Sequence, residues 1–130
     1  MNDKERLIIQ KLIGYSRDIA QYTAGLDFEG FTIDKKTVSA CAFTIGQMGE
    51  LAGLISEETR EAYDNIPWKA IRGMRNRIVH NYESVDLTVM WSTVNNSIPE
   101  FEKKLVAILS EQSQMEFDLE DEDDEYELGD

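Results

Sequence analysis

Six apolar residues, Val38, Cys41, Ile45, Met48, Ala52 and Ile55, recur at alternating spacings of three and four for nearly three heptads. No other feature constrains the chain as much, because a stripe of this period stays on one side only of a helix that packs against another. A matching seam runs through Ile8, Leu12, Tyr15, Ile19 and Tyr22. Two seams of one kind predict an antiparallel pair, with helix one over about Lys4 to Tyr22 and helix two opened by Asp34 as N-cap. Gly25 and Gly30 bracket the connection between them. Ser56 is placed to cap a short helical turn reaching Tyr63, and Pro67 to take the first position of helix three, where a missing N–H is harmless. Asp86 can cap helix four, which carries Leu87, Met90, Trp91, Val94 and Ile98. Pro99 removes the hydrogen bond to the carbonyl of Asn95 and should kink or restart this helix, after which apolar spacing resumes to about Ser110. The expected fold is all-α, an antiparallel four-helix bundle with an extra short helix.

Helix two has a second face. Ala42, Gly46, Gly49 and Gly53 line up beside its seam, and three interior glycines cost about 1 kcal/mol each relative to alanine. Either close approach by another helix or a second subunit repays that cost, or the low propensity is tolerated inside a well-packed bundle.

The net charge of −13 bears on which partners are possible, and it is unevenly placed. Ten acids and no base lie in residues 116–130, which leaves a net −3 on residues 1–115. Residues 1–112 therefore read as the bundle domain, and 113–130 as an acidic, flexible and solvated tail. Within the bundle Lys69, Arg72, Arg75 and Arg77 cluster, and no acid falls between Asp64 and Glu83, so the local field there can favour a polyanion. A single cysteine excludes an internal disulfide, and its apolar setting predicts a buried thiol in a reducing compartment. The absence of a signal peptide and of a membrane span predicts a cytoplasmic protein. One histidine, with no second one and no cysteine pair, gives no basis for zinc or another metal site, and no cofactor motif is visible.

The stretch from Ile71 to Tyr82 carries most of the functional signal. Trp68, Ile71, Ile78, Val79 and Tyr82 share one side of a helix, and Arg75 sits near the middle of that side. A guanidinium there is costly unless paired, so it should face a carboxylate, a subunit interface or an anionic ligand. Glu50, flanking the small-residue face of helix two, is a possible counter-ion, and an ordinary solvated glutamate is the other reading. His80 falls roughly 140° around the helix from Arg75, so the helix ends before it or the two meet in a cleft between elements or subunits.

Arg75, His80 and Tyr82 match the Arg-x4-His-x-Tyr pattern of the HepT group of HEPN proteins, and the chain resembles that group beyond the motif. Ile45-Gly46-Gln47-Met48-Gly49-Glu50, Ile66-Pro67-Trp68, Met74-Arg75-Asn76, Val85-Asp86, Trp91 and Ile98-Pro99 extend the likeness over roughly Lys4 to Leu109. The resemblance implies a HEPN-like bundle and a metal-independent endoribonuclease acting as the toxin of a type VII toxin–antitoxin pair. Arg75, His80 and Asn76 would be its catalytic positions, in the cleft of a homodimer or higher even oligomer. It implies Tyr82 as the residue to which an MntA-type nucleotidyltransferase antitoxin attaches AMP. Arg72 and Arg77 are solvated or position RNA phosphates.

The residues also admit plainer roles. Arg75 can be an internal salt-bridge partner, His80 a cap at a helix C-terminus, and Tyr82 core. On that footing the chain would be a non-catalytic nucleotide- or protein-binding module, or a structural partner of a nucleotidyltransferase. Two features depart from the group: Gln47, where a glutamate is common, and the long acidic tail, which is either solubilising or folds over the basic patch.

Overall fold

The computed structural model describes the backbone of residues 1–80 and 86–128, and the side chains of residues 1–78 and 86–119. The described residues form helices and connections, with no strand among them. The elements are α1 (Asp3–Thr23), α2 (Phe28–Ile33), α3 (Lys35–Ala52), α4 (Glu57–Ala62), α5 (Trp68–His80), α6 (Leu87–Ser92), a π-helical turn (Thr93–Ser97) and α7 (Ile98–Leu128). Helices α1, α3, α5 and the α6–α7 unit are the four long members of an all-α bundle.

Side-chain caps start most of these helices. Asn2 accepts from Glu5 N, Asp34 from Thr37 N at 3.1 Å, Ser56 from Thr59 N and Asp86 from Thr88 N, each occupying a backbone donor that the first turn leaves unpaired. Pro67 stands one residue earlier than expected. It precedes α5, and its carbonyl accepts from Ile71 N at 3.2 Å, which makes it the cap and Trp68 the first helical residue.

The two seams meet. Ile8, Leu12 and Ile19 of α1 are buried with Cys41, Ile45, Met48 and Ala52 of α3 in one core that also takes Ile71, Val94, Phe101 and Leu105. Glu5 fixes the register at one end: its carboxylate accepts from Ser56 N at 3.2 Å and from the Thr59 hydroxyl. The α1–α7 pair is antiparallel, since Arg6 reaches Glu116 and Arg17 reaches Glu102. Tyr22, the last residue of the first seam, is exposed, because α1 ends one residue later.

Two local features differ from the expectations, and the interruption expected at Pro99 takes a form of its own. The connection after α1 contains α2, a single short helix capped by Asp27, whose Phe31 is fully buried against Trp91 with ring centroids 5.0 Å apart. Before Pro99 the chain widens into the π-helical turn, one way of absorbing the hydrogen bond that the proline cannot make. The last helix does not stop near Ser110 but runs to Leu128 through the acidic stretch. Its core stripe of Phe101, Leu105 and Ile108 continues in register through Gln112, whose amide meets the Tyr63 hydroxyl at 2.7 Å, to the exposed Met115 and Leu119. Among the described residues no helix is long and apolar enough to cross a membrane.

Candidate functional site

Helix α5 lies against α3, and its apolar residues Trp68, Ile71 and Ile78 are buried. Trp68 anchors the start, donating from Nε1 to the carbonyl of Tyr63 at 3.1 Å and meeting Phe101 edge-on. With both ends of that stripe fixed, Arg75 must enter the α3–α5 seam. Gly49 makes room for it: a Cβ built on Gly49 would lie 2.1 Å from Arg75 Cβ, 2.8 Å from Arg75 Cγ and 3.2 Å from the carbonyl of Ile71. At Gly49 and Gly53 the small-residue face of α3 thus serves the approach of another helix of the same chain.

The stem of Arg75 is held in the seam while its head reaches the surface, as long cationic side chains commonly do. Nη2 donates to Glu50 Oε1 and Nη1 donates to Asn76 Oδ1 at 3.0 Å. Nε is buried without a hydrogen-bond partner among the described residues. The Arg75 side chain is 32% exposed and that of Glu50 57%, so the pair lies at a rim and not in the core. It opens onto a pocket of about 400 Å³, lined also by Ser39, Ala42, Phe43, Gly46, Gln47 and Ile78.

Of the other expected site residues, Asn76 is thus drawn to Arg75. Arg72 and Arg77 are exposed, with Arg72 one turn back beside Gly53. The backbone of His80 closes α5, so the helix does reach it, whereas its side chain lies outside the described residues. Tyr82 lies outside them as well. Phe43 and Gln47 were not singled out as site residues from the sequence. They share a ridge of α3 with Glu50, at steps of four and three, and projecting back two turns from Glu50 would have found them.

Such an arrangement can hold an anion. A guanidinium fixed by a carboxylate and an amide keeps N–H donors at an open rim, the geometry that suits phosphate oxygens.

Comparison with known proteins agrees with this architecture. A sequence model of the family described as Ribonuclease HepT-like matches residues 12–108. A Methanocaldococcus jannaschii protein bearing the name putative RNase is 30% identical over 106 residues, covering 82% of this chain and 91% of the relative. A Caldanaerobacter subterraneus protein of the same designation is 34% identical over 88 residues, or 68% and 79% of the two chains. A Thermococcus cleftensis protein named probable ribonuclease HepT is 34% identical over 86 residues, or 66% and 78%. No solved structure matches the chain. The matched span takes in the first seam from Leu12 onward, the whole second seam, Gly49, Glu50 and all of α5, and the chain belongs to the HepT-like ribonuclease family of HEPN proteins.

Proposed function

We propose that this chain is an endoribonuclease toxin of a type VII toxin–antitoxin pair, cutting RNA without a metal ion. The observation that carries the reading is a guanidinium, held by Glu50 and Asn76 at the mouth of an open pocket, on the helix that ends in His80. In RNA cleavage of this kind the substrate's 2′-OH attacks the adjacent phosphorus and the bond from phosphorus to the 5′-oxygen breaks. His80 carries the proton from the 2′-OH to the departing 5′-oxygen, leaving a 2′,3′-cyclic phosphate and a 5′-OH, while Arg75 stabilises charge building on the phosphoryl oxygens and Asn76 holds Arg75 in place. The exposed Arg72 and Arg77 are either solvated or supply further contacts to RNA phosphates.

Arg75 and His80 stand roughly 140° apart around α5, so one helix does not bring both to one phosphate. We therefore read the working unit as a homodimer or higher even oligomer in which two copies form the cleft. Residues 1–112 form the catalytic domain and 113–130 an acidic appendage, in a cytoplasmic protein. An MntA-type nucleotidyltransferase attaches AMP to Tyr82 and silences the enzyme, because the added bulk and negative phosphate occupy the place of the substrate.

Wild type and His80→Ala, purified in parallel, are incubated with total RNA in the presence of a chelator. Cleavage by the wild type alone is the expected result. Equal absence of cleavage in both leaves the non-catalytic binding module as the reading. Mass spectrometry of Tyr82 after co-expression with an MntA-type nucleotidyltransferase tests the regulation, and an unmodified Tyr82 rejects it.

A further inference from the structure

The pocket beside Arg75 has two unlike ends. One is the guanidinium with Glu50. At the other stands Phe43, lining the same pocket and 68% exposed. Between them the floor is apolar and small, made of the buried Ala42, Gly46 and Ile78. Along α3 the step from Phe43 to Gly49, over which Arg75 packs, is six residues, or about 9 Å. A nucleotide spans such a distance from phosphate to base.

We propose that this pocket is a nucleobase subsite in which Phe43 is the stacking platform for the base of a nucleotide whose phosphate Arg75 holds. The inference rests on the ribonuclease reading and adds to it the recognition of an unpaired, splayed-out base. Three observations favour this occupant over a packed helix. Phe43 is the one large apolar side chain on its ridge of α3, where Ser39, Gln47 and Glu50 occupy the neighbouring turns, whereas a docked helix needs a continuous apolar strip. A single flat apolar group joined to an anion is what a nucleotide presents, and single-stranded RNA is commonly read by stacking its bases on aromatic side chains. Gln47, half-buried in the same lining, carries both a donor and an acceptor for the edge of a stacked base.

The test uses the full chain and single-stranded oligoribonucleotides that the wild type cleaves, with Phe43→Trp, Phe43→Leu and Phe43→Ala as variants. Trp keeps a π-face, whereas Leu keeps apolar bulk without one. The expected result is a kcat/KM that falls roughly 5- to 100-fold in the Leu and Ala variants, carried mainly by KM, and stays within about threefold in Trp. An abasic nucleotide placed in turn at each position around the cut should cost the wild type a similar factor at one position and cost Phe43→Leu nothing more there. Equal kcat/KM in wild type and Phe43→Leu overturns the proposal. So does a loss that tracks a smaller assembly by analytical ultracentrifugation, which would assign Phe43 to a subunit interface. Wild-type protein that cleaves no RNA refutes the ribonuclease reading itself and this subsite with it.

Discussion

Replacing Gly49 with alanine tests the packing that brings Arg75 to the rim. Substituting alanine for a mid-helix glycine ordinarily gains up to about 1 kcal/mol from backbone propensity. Here the new Cβ would fall 2.1 Å from Arg75 Cβ and 2.8 Å from Arg75 Cγ, where carbon atoms normally rest about 3.5–4.0 Å apart. Arg75 Cβ is bound to the α5 backbone, so no side-chain rotation relieves the clash. Helix α5 would have to withdraw by roughly 1.5 Å, and the carbonyl of Ile71 at 3.2 Å resists sliding in place of withdrawal. Overpacking of this kind costs about 1–3 kcal/mol, and a clash with backbone-fixed atoms belongs at the upper end. The net expectation is a loss of about 1–2 kcal/mol. Gly73, on α5 itself, is the control: an added Cβ meets nothing within 4 Å, so Gly73→Ala should gain about 0.5–1 kcal/mol. Urea denaturation followed by far-ultraviolet circular dichroism would separate the two variants by about 1.5–3 kcal/mol. A Gly49→Ala protein as stable as Gly73→Ala would refute the account of the α3–α5 seam.

Other perturbations follow from the same geometry. Burial works against the charged form of Glu5, but hydrogen bonds from the Thr59 hydroxyl and from Ser56 outweigh it and hold the carboxyl below its ordinary value of 4.5. A depressed folded-state value contributes stability in full above the unfolded value, and that contribution is lost as pH falls through the folded one. Glu5→Gln should therefore weaken the protein at neutral pH and lose less stability than wild type on acidification below about pH 4.5, read from urea midpoints; parallel acid limbs would reject this role. The Cys41 thiol is fully buried and burial pushes its pKa up to about 11, so a disulfide reagent should label it only in denaturant. Rapid labelling of the native protein would contradict the core assignment. Truncation after Glu116 removes nine acids while sparing the contact with Arg6, and should raise RNA affinity at low salt through the long-range field alone. A gain that persists at physiological salt would instead indicate direct competition by the tail.

The parts of the fold that were legible in the sequence are those set by local chemistry. Asp34, Ser56 and Asp86 each satisfy nearby backbone donors with their own side chains, so their roles do not depend on the rest of the molecule. The seam of α3 was legible because Cys41, Ile45, Met48 and Ala52 are buried at steps of three and four, with Val38 packed partly against the same core. Helix α2 was not, because a six-residue helix with an internal glycine carries no period of its own and is stabilised by Phe31 packing on Trp91, far along the chain. The length of α7 was obscured by composition: charge density reads as solvated chain, while Met115 and Leu119 keep the apolar spacing beneath it. For the site, the anomaly of Arg75 was visible from its place in the helical period. Whether it faces a carboxylate, a subunit interface or an anionic ligand, and whether Glu50 is its counter-ion or an ordinary solvated glutamate, were not separable without knowing which face of α3 opposes α5, and Gly49 decides that.

An arginine already paired to an acid raises the question of whether it remains available to a phosphate. Were Arg75 and Glu50 in the core, breaking the pair would strand a buried charge and the side chain would be committed. With 32% and 57% of their side chains exposed, the two form a rim contact of the kind worth about 0–1 kcal/mol, since water competes for both groups. A phosphate approaching through the pocket therefore displaces or shares little. What is rigidly fixed is the stem, set into the space left by Gly49, and that fixation holds the guanidinium near the pocket whichever anion it contacts. On the proposed reading Glu50 would be an exchangeable partner of the guanidinium when no RNA is bound, while the α3–α5 packing, and not the ion pair, sets where the charge lies.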